Sequence, residues 1–118
     1  MSLRSTFTNA FRGLWLFLKS EPNNRIHISL ALLALAGGWI FHIGTSEWLA
    51  IILSVGLVLS AEAFNASLER LCDMVHKDHH PSIKAIKDIF AGAVLIAAAI
   101  AVAVSLVIFA PRLYALLG

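Results

Sequence analysis

Three long apolar stretches in a chain of 118 residues leave little choice about the solvent it folds in. They run at about 28–43, 48–63 and 89–110, and the last is long enough to cross a bilayer unaided, since a helical crossing takes roughly 20 residues. The first two are shorter as apolar runs, but each extends as helix into polar residues at one end, the second to about residue 68. Hydrophobic residues make up 59% of the chain and charged residues only 14%, against roughly 25% charged in ordinary globular proteins. A soluble domain this small has too little interior to hide so much apolar surface. The pattern therefore predicts an all-α membrane protein with three transmembrane helices, forming a single domain over residues 1–118. The one charged residue inside an apolar run is Glu62, near the end of the second.

Residues 3–19 read differently. Leu3, Phe7, Ala10, Phe11, Leu14, Phe17 and Leu18 recur at three- and four-residue spacing, with Arg4, Thr8, Asn9, Arg12 and Lys19 over much of the remaining surface. This predicts an amphipathic helix lying in the membrane interface. Because its apolar residues are periodic and not continuous, it does not read as a cleaved signal peptide. Glu21-Pro22-Asn23-Asn24 breaks it, since proline disfavours helix in the residue before it.

Eight of the nine lysines and arginines precede the first span or lie between the second and third, and only Arg112 follows the last. Basic loops stay cytoplasmic, so the N-terminus is expected inside and the C-terminus outside. A net charge of +2 spread along the ends of apolar runs is not the clustered basic face of a nucleic-acid-binding protein. The single cysteine, Cys72, makes neither an intramolecular disulfide nor a cysteine-rich metal site.

Chemistry concentrates where the second span leaves the membrane. Glu62, Asn65, Glu69 and Asp73 stand at spacings 0, +3, +7 and +11, which at about 100° per residue keeps them within one narrow stripe of a helix. Carboxylates stacked this way repel one another, and one at membrane depth is costly, so an ionisable group there is a functional-site hypothesis. A metal ion, basic side chains or both must offset the charge. Lys84, Lys87, Asp88 and Ala91 share a face of the helix that re-enters the membrane, and Glu21 lies in the first break, all near the same leaflet. Carboxylates from two elements suit Mg²⁺, which leaves positions for phosphate oxygens and water. With a lysine for polyphosphate charge and a carboxylate to take a proton from a lipid hydroxyl, the parts suit phosphoryl transfer. No Walker or protein-kinase glycine loop is present.

The run Glu62-Ala63-Phe64-Asn65-Ala66-Ser67-Leu68-Glu69, with Asp73 after it and Lys87-Asp88 later, resembles the signature of the small prokaryotic diacylglycerol kinase and undecaprenol kinase family. Phe7-x-x-Ala10-x-x-Gly13, Glu21-x-x-x-Arg25-Ile26-His27, His80-Pro81, Ala91-Gly92-Ala93-Val94 and Ile108-Phe109-x-Pro111 extend the likeness over nearly the whole chain. The resemblance implies a homotrimer of three-span subunits in a bacterial cytoplasmic membrane, with shared active sites that use ATP and Mg²⁺ to phosphorylate a lipid. It implies Glu62 as catalytic base, and Glu21 and Glu69 as metal ligands. Asn9, Asn65, Asp73, His79, His80, Lys87 and Asp88 then fall about the nucleotide and reaction centre, with Arg25, His27 and Ala91 beside the lipid substrate. Pro22-Asn23-Asn24 and Ala66-Ser67 depart from the usual pattern without removing a proposed catalytic group. His27, where a carboxylate is found in the diacylglycerol branch, looks more like the undecaprenol-phosphorylating branch. Two other classes remain open: a small oligomeric transporter using Glu62 as a proton or cation site, and a non-catalytic assembly subunit packed through Ala91, Gly92, Ala98 and Ala99.

Overall fold

In the computed structural model, which describes residues 2–76 and 80–118, four helices follow one another: α1 (Leu3–Ser20), α2 (Asn24–Ile40), α3 (Thr45–Val75) and α4 (Pro81–Leu117). Helix α1 matches its expected range within a residue, and none of its residues is buried. It opens on Ser2, whose hydroxyl accepts from the Ser5 N–H at 3.2 Å. It stops where the proline rule places the stop, with Glu21 in an extended conformation (φ −99°, ψ 118°) ahead of Pro22. Asn24 then turns back, its Nδ2 donating to the Phe17 carbonyl at 2.7 Å. That bond satisfies one of the orphan acceptors at the end of α1.

The first apolar stretch was expected to run to residue 43, but its helix ends at Ile40. The His42 N–H donates to the Trp39 carbonyl and the Ile43 N–H to the Gly38 carbonyl, with His42 at φ 53°. This is the Schellman pattern, closed by a left-handed residue after the helix. It swings Ile43 back into the core, where it is buried beside Ile51 and Ile108. Gly38 makes the fold-back possible: a Cβ there would stand 2.8 Å from the Trp48 ring and 2.9 Å from Ile43 Cδ1.

Helices α3 and α4 form the principal pair, with α2 touching α3 more sparingly. At about 1.5 Å per residue the 37 residues of α4 make a rod of about 55 Å, the longest dimension of the molecule at 55 Å. The last span was expected to stop near 110. Its helix instead continues through Pro111 to Leu117. The Arg112 guanidinium there grips both carboxylate oxygens of Glu47, at 2.7 and 2.9 Å, and donates to the Ile108 carbonyl. Glu47 also accepts from the Gly44 N–H at 3.0 Å, so one carboxylate caps α3 and ties it to α4. Phe41 and Phe109 pack with ring centroids 6.2 Å apart beside the same core. The apolar core thus sits at the end of the bundle that holds the α2–α3 turn.

Elsewhere many large apolar side chains point outward. Leu33, Leu53, Leu95 and Val107 are each about 70% exposed (68%, 71%, 70% and 75%), an apolar exterior that water does not tolerate and a bilayer does. Helices α3 and α4 are long and apolar enough to cross a membrane, while α2 is apolar but has only 17 residues.

Two measurements check this packing. Gly38→Ala should lower stability by about 1–3 kcal/mol, the usual cost of overpacking a tight contact, read as a fall in Tm in detergent. The second concerns Glu47, which lies ahead of the apolar stretch of α3. The hydrogen bonds from Arg112 and Gly44 hold its carboxyl below the usual range. Its contribution is therefore present above that range and lost as pH falls through the depressed value. Acid should lower the Tm of the wild type more steeply than that of Glu47→Gln.

Candidate active site

The other end of the bundle is polar. Helix α3 carries Glu62, Asn65, Glu69 and Asp73 past its apolar section as one uninterrupted helix, so the expected stripe is present. Two of its acids have basic partners from other helices. Glu62 Oε1 lies 2.8 Å from His27 Nε2, a residue of the first turn of α2. Asp73 accepts from Lys87 Nζ at 2.8 Å, from the first turns of α4. That hydrogen bond holds the Lys87 ammonium above the usual lysine value. The Asp73 and Lys87 side chains are 59% and 35% exposed, so the pair orients Lys87 more than it stabilises the fold. The offset to the acidic stripe is thus met in part by basic side chains, one of the routes left open by the sequence.

Between these pairs, Asn65 Nδ2 donates to Glu69 Oε1 at 3.2 Å. Carboxylates only accept, so this fixes the amide's orientation and turns its oxygen away. That oxygen, Oδ1, is buried and is the unpartnered buried side-chain atom among the described residues. A buried acceptor without a donor is costly and asks for a hydrogen-bond donor or a cation. Together with the Glu69 carboxylate it offers the hard oxygen chemistry that Mg²⁺ prefers. Among the described residues no three carboxylate, imidazole or thiol groups converge on a common point.

Helix α1 reaches this end through its last residue, Ser20, whose hydroxyl accepts from Arg70 Nη2 at 2.8 Å. The bond brings the Glu21 corner to the level of Glu69, the residue before Arg70. Between α1 and α3 lies a cavity of about 410 Å³ with a floor of small residues, Gly13, Ala63 and Ala66, apolar walls from Leu14 and Phe17, and Arg70 at its rim. Asn9 and Arg25 are exposed, on α1 and in the first turn of α2.

Other expected site residues are placed less centrally. Asp88 is taken by Lys84 within α4, at 2.6 Å. His80 caps α4, its Nδ1 accepting from the Ser82 N–H at 3.1 Å. Ala91 is exposed on α4, one turn beyond Lys87. His79 lies outside the described residues. Sequence reasoning missed Arg70, Asn24 and Ser20 as the parts that seat α1, because a single polar residue in a helix gives no periodic signal. It also missed His27 as a partner of Glu62, since the two are far apart in the chain.

Comparison with known proteins bears directly on this arrangement. Residues 8–109 match the prokaryotic diacylglycerol kinase family. The chain is 36% identical over 108 residues to the undecaprenol kinase of Bacillus subtilis (strain 168), covering 92% of this chain and 88% of that one. It is 30% identical over 117 residues to a diacylglycerol kinase of Synechocystis sp. (strain ATCC 27184 / PCC 6803 / Kazusa), covering 98% and 67%. No solved structure matches it. An apolar helical bundle with an acid-lined polar end, set beside these relatives, is a lipid kinase. More particularly, the chain belongs to the prokaryotic diacylglycerol kinase family.

The seating of α1 has a measurable cost. Asn24 is 2% exposed, and Asn24→Ala leaves the Phe17 carbonyl only the longer 3.5 Å bond from the Ser20 hydroxyl, which should destabilise the protein by about 1–3 kcal/mol. Arg70→Ala should leave global stability nearly unchanged but speed hydrogen exchange at the C-terminal turn of α1.

Proposed function

We propose that this protein transfers the γ-phosphoryl group of ATP to the hydroxyl of undecaprenol at the cytoplasmic leaflet of a bacterial membrane, giving undecaprenyl phosphate and ADP. The observation that carries the reading is Glu62, a carboxylate at the edge of the apolar section of α3, held from across the helix pair and followed on the same face by Asn65 and Glu69. A carboxylate so placed meets a lipid hydroxyl where the polar head of a membrane alcohol lies. It acts as general base, accepting the hydroxyl proton as the oxygen attacks phosphorus. Glu69 and Glu21 are the residues that would hold Mg²⁺, and the unpartnered Asn65 oxygen is a further hard acceptor on the same stripe as Glu69. The metal supplies charge neutralisation at the phosphates.

Lys87 answers the negative charge of the nucleotide, and Asp73, by pairing with it, aims the ammonium toward the stripe. Asn9, His80 and Asp88 would meet the nucleotide, a role the family resemblance also gives His79. Arg25 and Ala91 border the lipid. The cavity between α1 and α3 suits an isoprenoid or acyl chain, with its polar rim at Arg70 and Ser20. In this reading α2, α3 and α4 are the three crossings, the N-terminus is cytoplasmic, and three subunits assemble with sites shared between them. Sharing is consistent with metal ligands that do not converge among the described residues of one chain.

The likeness to an undecaprenol kinase supports undecaprenol as acceptor, and so does an imidazole at position 27. The likeness to a diacylglycerol kinase supports diacylglycerol as the second reading, with the same chemistry. A phosphorylation assay that offers both lipids side by side tests the proposal. Transfer should require ATP, cease when EDTA removes divalent cations, and run faster on undecaprenol. Glu62→Gln should lower kcat by about 10²–10⁴-fold, the usual worth of a general base, with the fold intact by circular dichroism. Full activity in that variant would remove the base assignment. Flux of a solute across liposomes without ATP hydrolysis would favour a transporter.

A further inference from the structure

Glu62 reaches its site on a long, rotatable side chain, and its carboxylate torsion is broad. A general base works only when one oxygen faces the proton it removes, so an unrestrained glutamate spends much of its time misdirected. In this protein the restraint comes from another helix. His27 Nε2 stands 2.8 Å from Glu62 Oε1. The contact is an ion pair when the imidazole is protonated, and the ring then stands against one of the two carboxylate oxygens.

The surroundings leave the task to His27. Among the described residues, no lysine or arginine pairs with Glu62 and no other acid pairs with His27. On α3 the next polar groups along the stripe, Asn65 and Glu69, bond to each other. On α4 Lys87 is taken by Asp73. On α2 the neighbouring cation, Arg25, is exposed. Helices α2 and α3 touch sparingly, so this contact also sets where the first turn of α2 lies against the stripe. The two side chains are 23% and 21% exposed, packed enough to be fixed and open enough for a small molecule to enter.

We infer that His27 is a positioning residue for the transfer, its Nε2 edge 2.8 Å from Glu62 Oε1 holding that oxygen so that Oε2 faces the acceptor hydroxyl. This rests on the lipid-kinase reading with Glu62 as base. The proton balance is unchanged: the hydroxyl proton passes to Glu62 Oε2, the new bond is between the lipid oxygen and phosphorus, and ADP leaves. Position 27 therefore matters to the reaction through the direction of a carboxylate and not through a contact with ATP.

The test uses the full-length protein in mixed micelles with undecaprenol, diacylglycerol, ATP and Mg²⁺. His27→Ala should lower kcat roughly 10- to 100-fold, the scale of a misplaced reacting group, with KM for ATP little changed. Added imidazole should recover a part of that loss in His27→Ala and none in Glu62→Gln. His27→Gln, which keeps an N–H at similar reach, should stay closer to the wild type than His27→Ala. Wild-type kcat in His27→Ala overturns the inference. So does a loss that imidazole does not relieve and His27→Gln fully shares, which assigns the residue to helix packing alone. A wild-type protein that phosphorylates neither lipid overturns the lipid-kinase reading itself, and this inference with it.

Discussion

The structure depends on a helix longer than the apolar layer it is suited to. Hydrocarbon offers no partner for a backbone N–H or C=O, so a segment inside it stays helical until it emerges. The 31 residues of α3 amount to about 46 Å at 1.5 Å per residue, against about 30 Å of hydrocarbon. The surplus is polar and stays helical beyond the apolar section. Side chains at Glu62, Asn65, Glu69 and Asp73 are therefore held in register on one face, from apolar depth out to solvent, by the same ladder of hydrogen bonds.

The packed core and the proposed site lie at opposite ends of the bundle. At the α2–α3 turn, Ile43, Ile51 and Ile108 form a small buried core, and Arg112 clamps Glu47 with a two-pronged grip. At the other end, ion pairs and a hydrogen bond tie the elements: His27 to Glu62, Lys87 to Asp73 and Arg70 to Ser20. The proposed site, to admit a nucleotide and a lipid head group, needs such an open end, and a fold this small needs a packed one. The separation lets each end meet its own requirement.

Much of this was legible before any coordinates. The period of Leu3, Phe7, Ala10, Phe11 and Leu14 marks α1 because it gathers apolar side chains on one side of a helix. Glu62 stood out because a carboxylate in an apolar run is rare and costly. Boundaries were less legible. The first span was expected to continue to residue 43, but a backbone turn with His42 in the left-handed region ends the helix at Ile40, and histidine gives little warning of such a turn. The last span was expected to stop before Pro111. The helix passes through it, since losing one backbone donor near a helix end breaks little.

What the sequence alone determined was local or periodic: which segments are helical, which prefer lipid, and which acidic side chains share a face. These follow from spacing along one helix, where about 3.6 residues per turn converts position into direction. The tertiary structure decided which groups meet across helices. It set His27 against Glu62, Lys87 against Asp73, Asn24 beneath the end of α1, and Arg112 upon Glu47. Partners 35 or 65 residues apart are chosen by the rotation and offset of packed rods. Those depend on small contacts, such as the close approach at Gly38, which no pattern in the chain announces.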